Sequence, residues 1–257
     1  MATETMRLQQ ALRAEGDLKL VPYLMGGHPD ARRSVEAGRR LAAAGAAAIE
    51  IGIPFSDPLA DGPVIQRAGQ VALAAGITTA GCLQVAEQVA REGRPVVLMT
   101  YVNPVLAYDP RRFAADAAQA GVAGVIVPDL PPEEAEPIAG WLRAAGLDTV
   151  FLVAPTSPDE RVAAICREST GFVYCVTLTG ITGARKELPP GLDGLLARVR
   201  GQTDLPVAAG FGISRAEHVR ALRGKCDAAV VGSALVAELE AGRDPSGLLK
   251  ELARECR

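Results

Sequence analysis

The sequence is short of the residues that carry the commonest enzyme chemistries. Only two histidines, His28 and His218, stand in 257 residues. That is too few for a histidine-rich metal centre, no Ser-His-Asp set is evident, and no metal is expected. His218 falls in a helical stretch and reads as a surface residue. The four lysines, Lys19, Lys186, Lys225 and Lys250, avoid the C-terminal ends of the strands, which argues against a Schiff-base aldolase. Five cysteines form no CxxC pair and are odd in number, so neither a disulfide framework nor a zinc site is expected, and a reducing compartment fits. The single tryptophan, Trp141, sits mid-helix and reads as a packing residue. No apolar run reaches transmembrane length and the first twenty residues lack a signal-peptide core, so a cytoplasmic location without a membrane role is expected. A net charge of -3 without blocks of one sign suggests no nucleic-acid groove. What remains is metal-free acid–base work by carboxylates, assisted by Tyr and Thr hydroxyls.

Against that background one stretch stands out, IEIGIPFSDPLADGPVIQ at 49–66. It completes a short apolar strand, 46–51, with Glu50 between Ile49 and Ile51. Gly52 ends the strand, and Pro54, Pro58 and Pro63 punctuate a loop carrying Asp57 and Asp61. Pro63 suits a first helical turn. A lone Glu in a strand can face solvent, because side chains alternate. In a parallel strand covered on both faces it is instead buried or lines a pocket, and either needs a reason.

The rest of the chain repeats one pattern. Strands are expected near 18–25, 46–51, 95–101, 124–127, 149–153, 172–177, 206–209 and 228–231. Helices are expected at 3–15, 31–44, 63–75, 79–92, 110–120, 132–145, 158–169, 193–203 and 215–223, with further helices closing the chain. Gly45, Gly121 and Gly146 suit helix C-termini. Eight strand–helix units with no linker predict a single α/β domain over 1–257. The expected fold is a (β/α)8 TIM barrel with an extra N-terminal helix and extra short helices after strands two and eight.

In such barrels the chemistry lies at the C-terminal ends of the strands. Those ends carry Glu50, Tyr101 with Asn103, Asp129, Thr156, the stretch 177–182, Gly210 to Gly212, and Gly232 with Ser233. GFGIS and GSAL, at the last two strand ends, read either as turn glycines or as a phosphate site. Glycine amides beside a helix start favour the phosphate. The Gly- and Pro-rich loop at 179–191 reads either as a lid or as a plain surface loop.

The segments IEIGIPFSDPLADGP, MTYVNP, GVIVPDLPPEE, VAPTSPDERV, TGITGAR, GFGIS and VVGSA follow one another in an order and spacing already known. Along nearly its full length the chain resembles the alpha subunit of tryptophan synthase. The resemblance implies cleavage of indole-3-glycerol phosphate to indole and glyceraldehyde 3-phosphate. It implies Glu50 and Asp61 as catalytic acids and Tyr174 as a helper. Tyr23 and Tyr101 fall where the family lines the indole pocket. Thr182 would help close the loop over substrate. Gly183, Gly212, Gly232 and Ser233 would hold the phosphate. It also implies a beta subunit in an alpha2beta2 complex, met by Pro54 and Asp57. Pyridoxal phosphate would belong to that beta subunit and no cofactor to this chain. His28 departs from the family, which usually has Asp there, in a loop near the partner face, while Leu178 stands at a variable position. A stand-alone lyase without a beta subunit and a non-enzymatic phosphate-binding scaffold barrel are the competing readings.

Overall fold

The computed structural model describes residues 8–13, 16–176, 191–210 and 212–257. Nine short strand segments, all parallel, make one sheet. They are β1 (Lys19–Met25), β2 (Ile49–Gly52), β3 (Val96–Met99), β4 (Val122–Ile126), β5 (Asp148–Val150), β6 (Leu152–Val153), β7 (Val173–Val176), β8 (Val207–Gly210) and β9 (Ala228–Val231). Their order is β5-β4-β3-β2-β1-β9-β8-β7-β6. The two ends of that order, β5 and β6, are separated in sequence by Phe151 alone, so the sheet closes on itself. This is the expected (β/α)8 barrel. The fifth strand, expected as one piece over 149–153, is split because its first half pairs with β4 and its second with β7. The carbonyl of Phe151 still accepts a hydrogen bond from the Tyr174 amide at 3.1 Å.

Alternation divides the strand residues between two layers. Ile49, Ile51, Leu98, Val125, Val173, Cys175 and Val231 face outward and pack under the helices. Val21, Val97, Ile126, Val150, Ala208 and Val230 fill the inside. Because Ile49 and Ile51 face outward, Glu50 between them faces inward. The short helix α1 (Leu8–Leu12) sends fully buried Leu8 and Leu12 into the inner cluster. Leu8 lies against Gly124 of β4, and the Arg13 guanidinium donates to the carbonyl of Asp204 before β8. α1 therefore closes the end of the barrel where the strands begin.

The outer ring contains α2 (Ala31–Ala43), α3 (Pro63–Ala74), α4 (Thr79–Ala90), α5 (Val102–Tyr108), α6 (Pro110–Gln119), α7 (Ile138–Ala144), α8 (Asp159–Glu168), α9 (Leu192–Arg200), α10 (Ala216–Leu222), α11 (Ser233–Glu240) and α12 (Pro245–Ala253). The Asp30 and Thr78 side chains cap α2 and α4 by accepting amides of Arg33 and Gly81. Gly45, Gly121 and Gly146 follow their helices with positive φ, as expected of C-terminal caps.

Three local expectations are corrected. The helix expected over 132–145 is a 3-10 turn (Pro132–Glu134) followed by α7, because Pro137 has no N–H and disfavours helical Glu136. α5 was not expected, and its Pro104 falls within the first turn, where proline is tolerated. His218 is not a surface residue. It is 2% exposed on the inward face of α10, beside Val219 and Leu222, and its Nδ1 accepts the Ser214 amide at 3.3 Å. Trp141 packs partly buried against the outer core with the Arg111 guanidinium 5.0 Å from its ring centroid.

Among the described residues no single helix is long and apolar enough to cross a membrane. The bent pair α3 and α4 passes that test on length and composition alone.

Candidate active site

The inward carboxylate of Glu50 sits at the mouth of the barrel, opposite Tyr23 of β1 and Val97 of β3. It is 1% exposed, and its Oε2 has no hydrogen-bond partner among the described residues. A buried, unsatisfied carboxyl disfavours its charged form. Burial, and secondarily the nearby Asp61, push its pKa up to about 8.

Asp61 reaches the same space from the loop after β2. That loop first continues the sheet, with the Ile53 amide donating to Met99 at 2.8 Å. It then turns outward. Pro54 is buried, whereas Ser56, Asp57, Leu59 and Ala60 are exposed, Leu59 by 93%. The Gln66 side chain donates to the carbonyl of Asp61 at 2.9 Å and folds the loop back over the mouth. Burial raises the Asp61 pKa to about 6, opposed by a hydrogen bond from Tyr101.

Three tyrosines complete the mouth. Tyr23 and Tyr174, each almost fully buried, have pKa values driven well up by burial and by both carboxylates. Tyr101 follows β3, its ring 5.5 Å from that of Phe55, and its hydroxyl accepts the Ala60 amide at 2.9 Å. Gly52 and Gly210 end β2 and β8 where a side chain would strike the hydroxyls of Tyr23 and Tyr174. Glycine at these strand ends lets the phenols lie across the opening. Gly52→Ala is expected to destabilise the fold by about 1–3 kcal/mol, the usual effect of overpacking. Urea denaturation checks this, and an unchanged midpoint would mean that Tyr23 has room to move.

Gly232 and Ser233 stand where β9 passes into α11, and Gly212, with φ of 69°, follows β8. β8 and β9 are adjacent, so these residues share one side of the mouth. The first amides of α11 have no preceding carbonyl within the helix to pair with. In the same corner Ser214 Oγ is buried without a hydrogen-bond partner among the described residues. Thr182, Gly183, Leu178 and most of the 179–191 loop lie outside the described residues.

The profile of the family described as "Tryptophan synthase alpha chain" matches residues 9–257. The chain belongs to the tryptophan synthase alpha chain family. It is 50% identical over 231 residues to the alpha chain of Roseiflexus sp. (strain RS-1), covering 89% of this chain and 88% of that one. It is 45% identical to the alpha chain of Solibacter usitatus over 257 residues, 98% of this chain and 96% of the other. A solved structure of Mycobacterium tuberculosis tryptophan synthase superposes with a TM-score of 0.93 at 39% identity, covering 99% of both chains. A mutant alpha-subunit from Pyrococcus furiosus superposes with a TM-score of 0.85 at 40% identity, covering 94% and 98%. Membership makes the chain an enzyme subunit of tryptophan biosynthesis and implies a beta-subunit partner. Nothing in these comparisons favours a stand-alone lyase or a non-enzymatic barrel.

Several features of the alpha-chain mouth were not legible in sequence. The Gln66 amide carries no signal beyond its place after the DGP turn. The Tyr101 hydroxyl joins residues 41 positions apart. His28, the departure noted in GGHPD, is 3% exposed, and both its ring nitrogens lack partners among the described residues. Burial lowers its pKa, which favours the neutral ring. All five cysteines are buried free thiols, and burial pushes Cys82 and Cys226 up to about 12. Among the described residues no group of three or more His, Cys, Asp or Glu could hold a metal ion.

Proposed function

We propose that this chain cleaves indole-3-glycerol phosphate by a retro-aldol step run by Glu50 and Asp61. The observation that carries the reading is the convergence of two carboxylates from one stretch on the barrel mouth, each held above its ordinary pKa by burial. Near neutral pH Glu50 is mostly a neutral acid and Asp61 mostly an anion. Glu50 donates its proton to indole C3, and the protonated ring becomes an electron sink. Asp61 accepts the indole N–H and stabilises the positive charge developing there. The resulting Glu50 carboxylate takes the proton of the glycerol hydroxyl. The carbon–carbon bond then breaks, its electron pair returns to the ring, and an aldehyde and indole are left with Glu50 protonated as before.

We assign Tyr174 the supporting role of a neutral phenol facing both acids. Tyr23 and Tyr101 line the indole side. The amides of Gly212, Gly232 and Ser233 take the phosphate, joined by Gly183, with Thr182 on the loop that closes over substrate. Asp57, exposed on the loop carrying Asp61, faces the beta subunit, and buried Pro54 shapes that loop from beneath. The assembly is alpha2beta2, pyridoxal phosphate resides on the beta subunit, the location is the cytoplasm, and residues 1–257 act as one barrel domain.

The test is indole release from indole-3-glycerol phosphate with and without a matching beta subunit. Addition of beta is expected to speed release at least tenfold, a barrier change of about 1.4 kcal/mol. The loop carrying Asp61 would also carry the partner contact, so docking and catalysis act on the same residues. Equal turnover in both arms would sink the coupling, and no indole in either would sink the activity.

A further inference from the structure

We propose that Tyr101 is a positioning residue whose hydroxyl holds Asp61, and the loop bearing it, against the barrel mouth. The inference rests on the proposed role of Asp61. A phenol has one proton and two lone pairs. The Tyr101 oxygen accepts the Ala60 amide at 2.9 Å, which sets the hydroxyl beside the next residue, Asp61, whose charged form it favours. With the oxygen accepting from Ala60, the phenolic proton is left to serve Asp61. One group thereby holds Ala60 and stands beside Asp61 on a loop whose residues 56, 57, 59 and 60 are exposed.

Tyr101 is itself fixed from two sides. Its ring is buried and tilted against Phe55, which precedes the exposed part of the loop. The next residue, Val102, donates its amide to Asp129 Oδ1 at 2.9 Å, which ties the β3–α5 corner to the end of β4. A residue that only lined the indole pocket would present its ring and leave its hydroxyl free, whereas here the hydroxyl is engaged before any ligand arrives.

Among the described residues the titratable groups facing Asp61 are Glu50 of β2, Tyr23 of β1, Tyr174 of β7 and Tyr101 itself. Burial disfavours the Asp61 anion, and the Tyr101 hydrogen bond opposes that effect. Hydrogen bonding to a charged form favours it, so loss of the hydroxyl must raise the Asp61 pKa.

Tyr101→Phe keeps the ring and its packing. In the full chain the Asp61 carboxyl is followed by NMR titration, its signal assigned by its disappearance in Asp61→Asn. The midpoint is expected to rise by about one pH unit in Tyr101→Phe. The acid limb of single-turnover indole release should move up by the same amount, which a merely structural loss would not produce. An unchanged Asp61 midpoint overturns the inference, whatever the activity does. If the wild-type chain releases no indole, the functional reading falls while the titration still decides the role of Tyr101.

Discussion

Glu50→Gln is expected to lower single-turnover indole release at least 10²-fold, the lower bound of what general acid–base catalysis contributes. Glutamine keeps the size and polarity of the side chain and removes only the titrating proton. Glu50 faces inward from β2, opposite Tyr23 and Val97, with one oxygen unpaired among the described residues. Among the described residues no carboxylate except Asp61 acts on it, so no described neighbour can take over the transfer. Binding of a substrate analogue should largely survive, because the proposed phosphate site uses backbone amides beyond other strands, at Gly212, Gly232 and Ser233. The assignment fails if more than about a tenth of wild-type turnover remains, since the expected loss begins at 10²-fold. It fails equally if activity drops only as far as binding does, because Glu50 would then position substrate while another group moved the proton.

The same substitution has a signature in stability. The pKa of Glu50 is raised from its ordinary value to about 8 in the fold. A carboxyl raised on folding binds more protons in the native state than in the unfolded state between those two values. Its contribution to stability is therefore full below its unfolded pKa and is lost as pH rises through about 8. Glu50→Gln lacks this term. The variant should be increasingly the more stable of the two as pH is raised from about 5 to about 8. Parallel stability curves for wild type and variant would mean that water or substrate-side groups already relieve the buried carboxyl.

Asp61→Asn is expected to cost about 10- to 10²-fold in the same assay, corresponding to loss of a hydrogen bond between charged partners. The amide oxygen is a weaker acceptor and does not offset positive charge on the ring. The sign of the pH effect separates this role from that of Glu50. Asp61 works as an anion with its pKa raised to about 6, so activity dependent on it is lost as pH falls through that value. In Asp61→Asn that acid limb should vanish while the fall above about pH 8, set by Glu50, remains. Retention of the acid limb in Asp61→Asn would assign it to some other group and leave Asp61 a merely structural member of the loop.

The strand–helix rhythm, the closing glycines and the apolar alternation in each strand were sufficient to predict a barrel, because they are local properties with fixed periods. Glu50 was legible for the same reason: a charged residue between two isoleucines in a covered strand needs a pocket. Gly232 and Ser233 followed from their places just past a strand end, whereas Asp61 was singled out from Asp57 on the same loop only by the family resemblance. Closure of the sheet through a fifth strand broken at Phe151 was not legible, because the break depends on two different neighbours pairing with its two halves. Nor was the burial of His218, since a helix of seven residues does not announce which face turns inward. The hold of Tyr101 on Ala60 was equally hidden, as was the room that Gly52 and Gly210 leave for Tyr23 and Tyr174. These contacts join residues distant in sequence or on different strands, and they exist only once the sheet has curled. Residue identity alone determined which groups are capable of the chemistry. The tertiary structure decided which of them lose water, meet one another and shift in pKa, because burial and approach belong to the packed barrel and not to the chain.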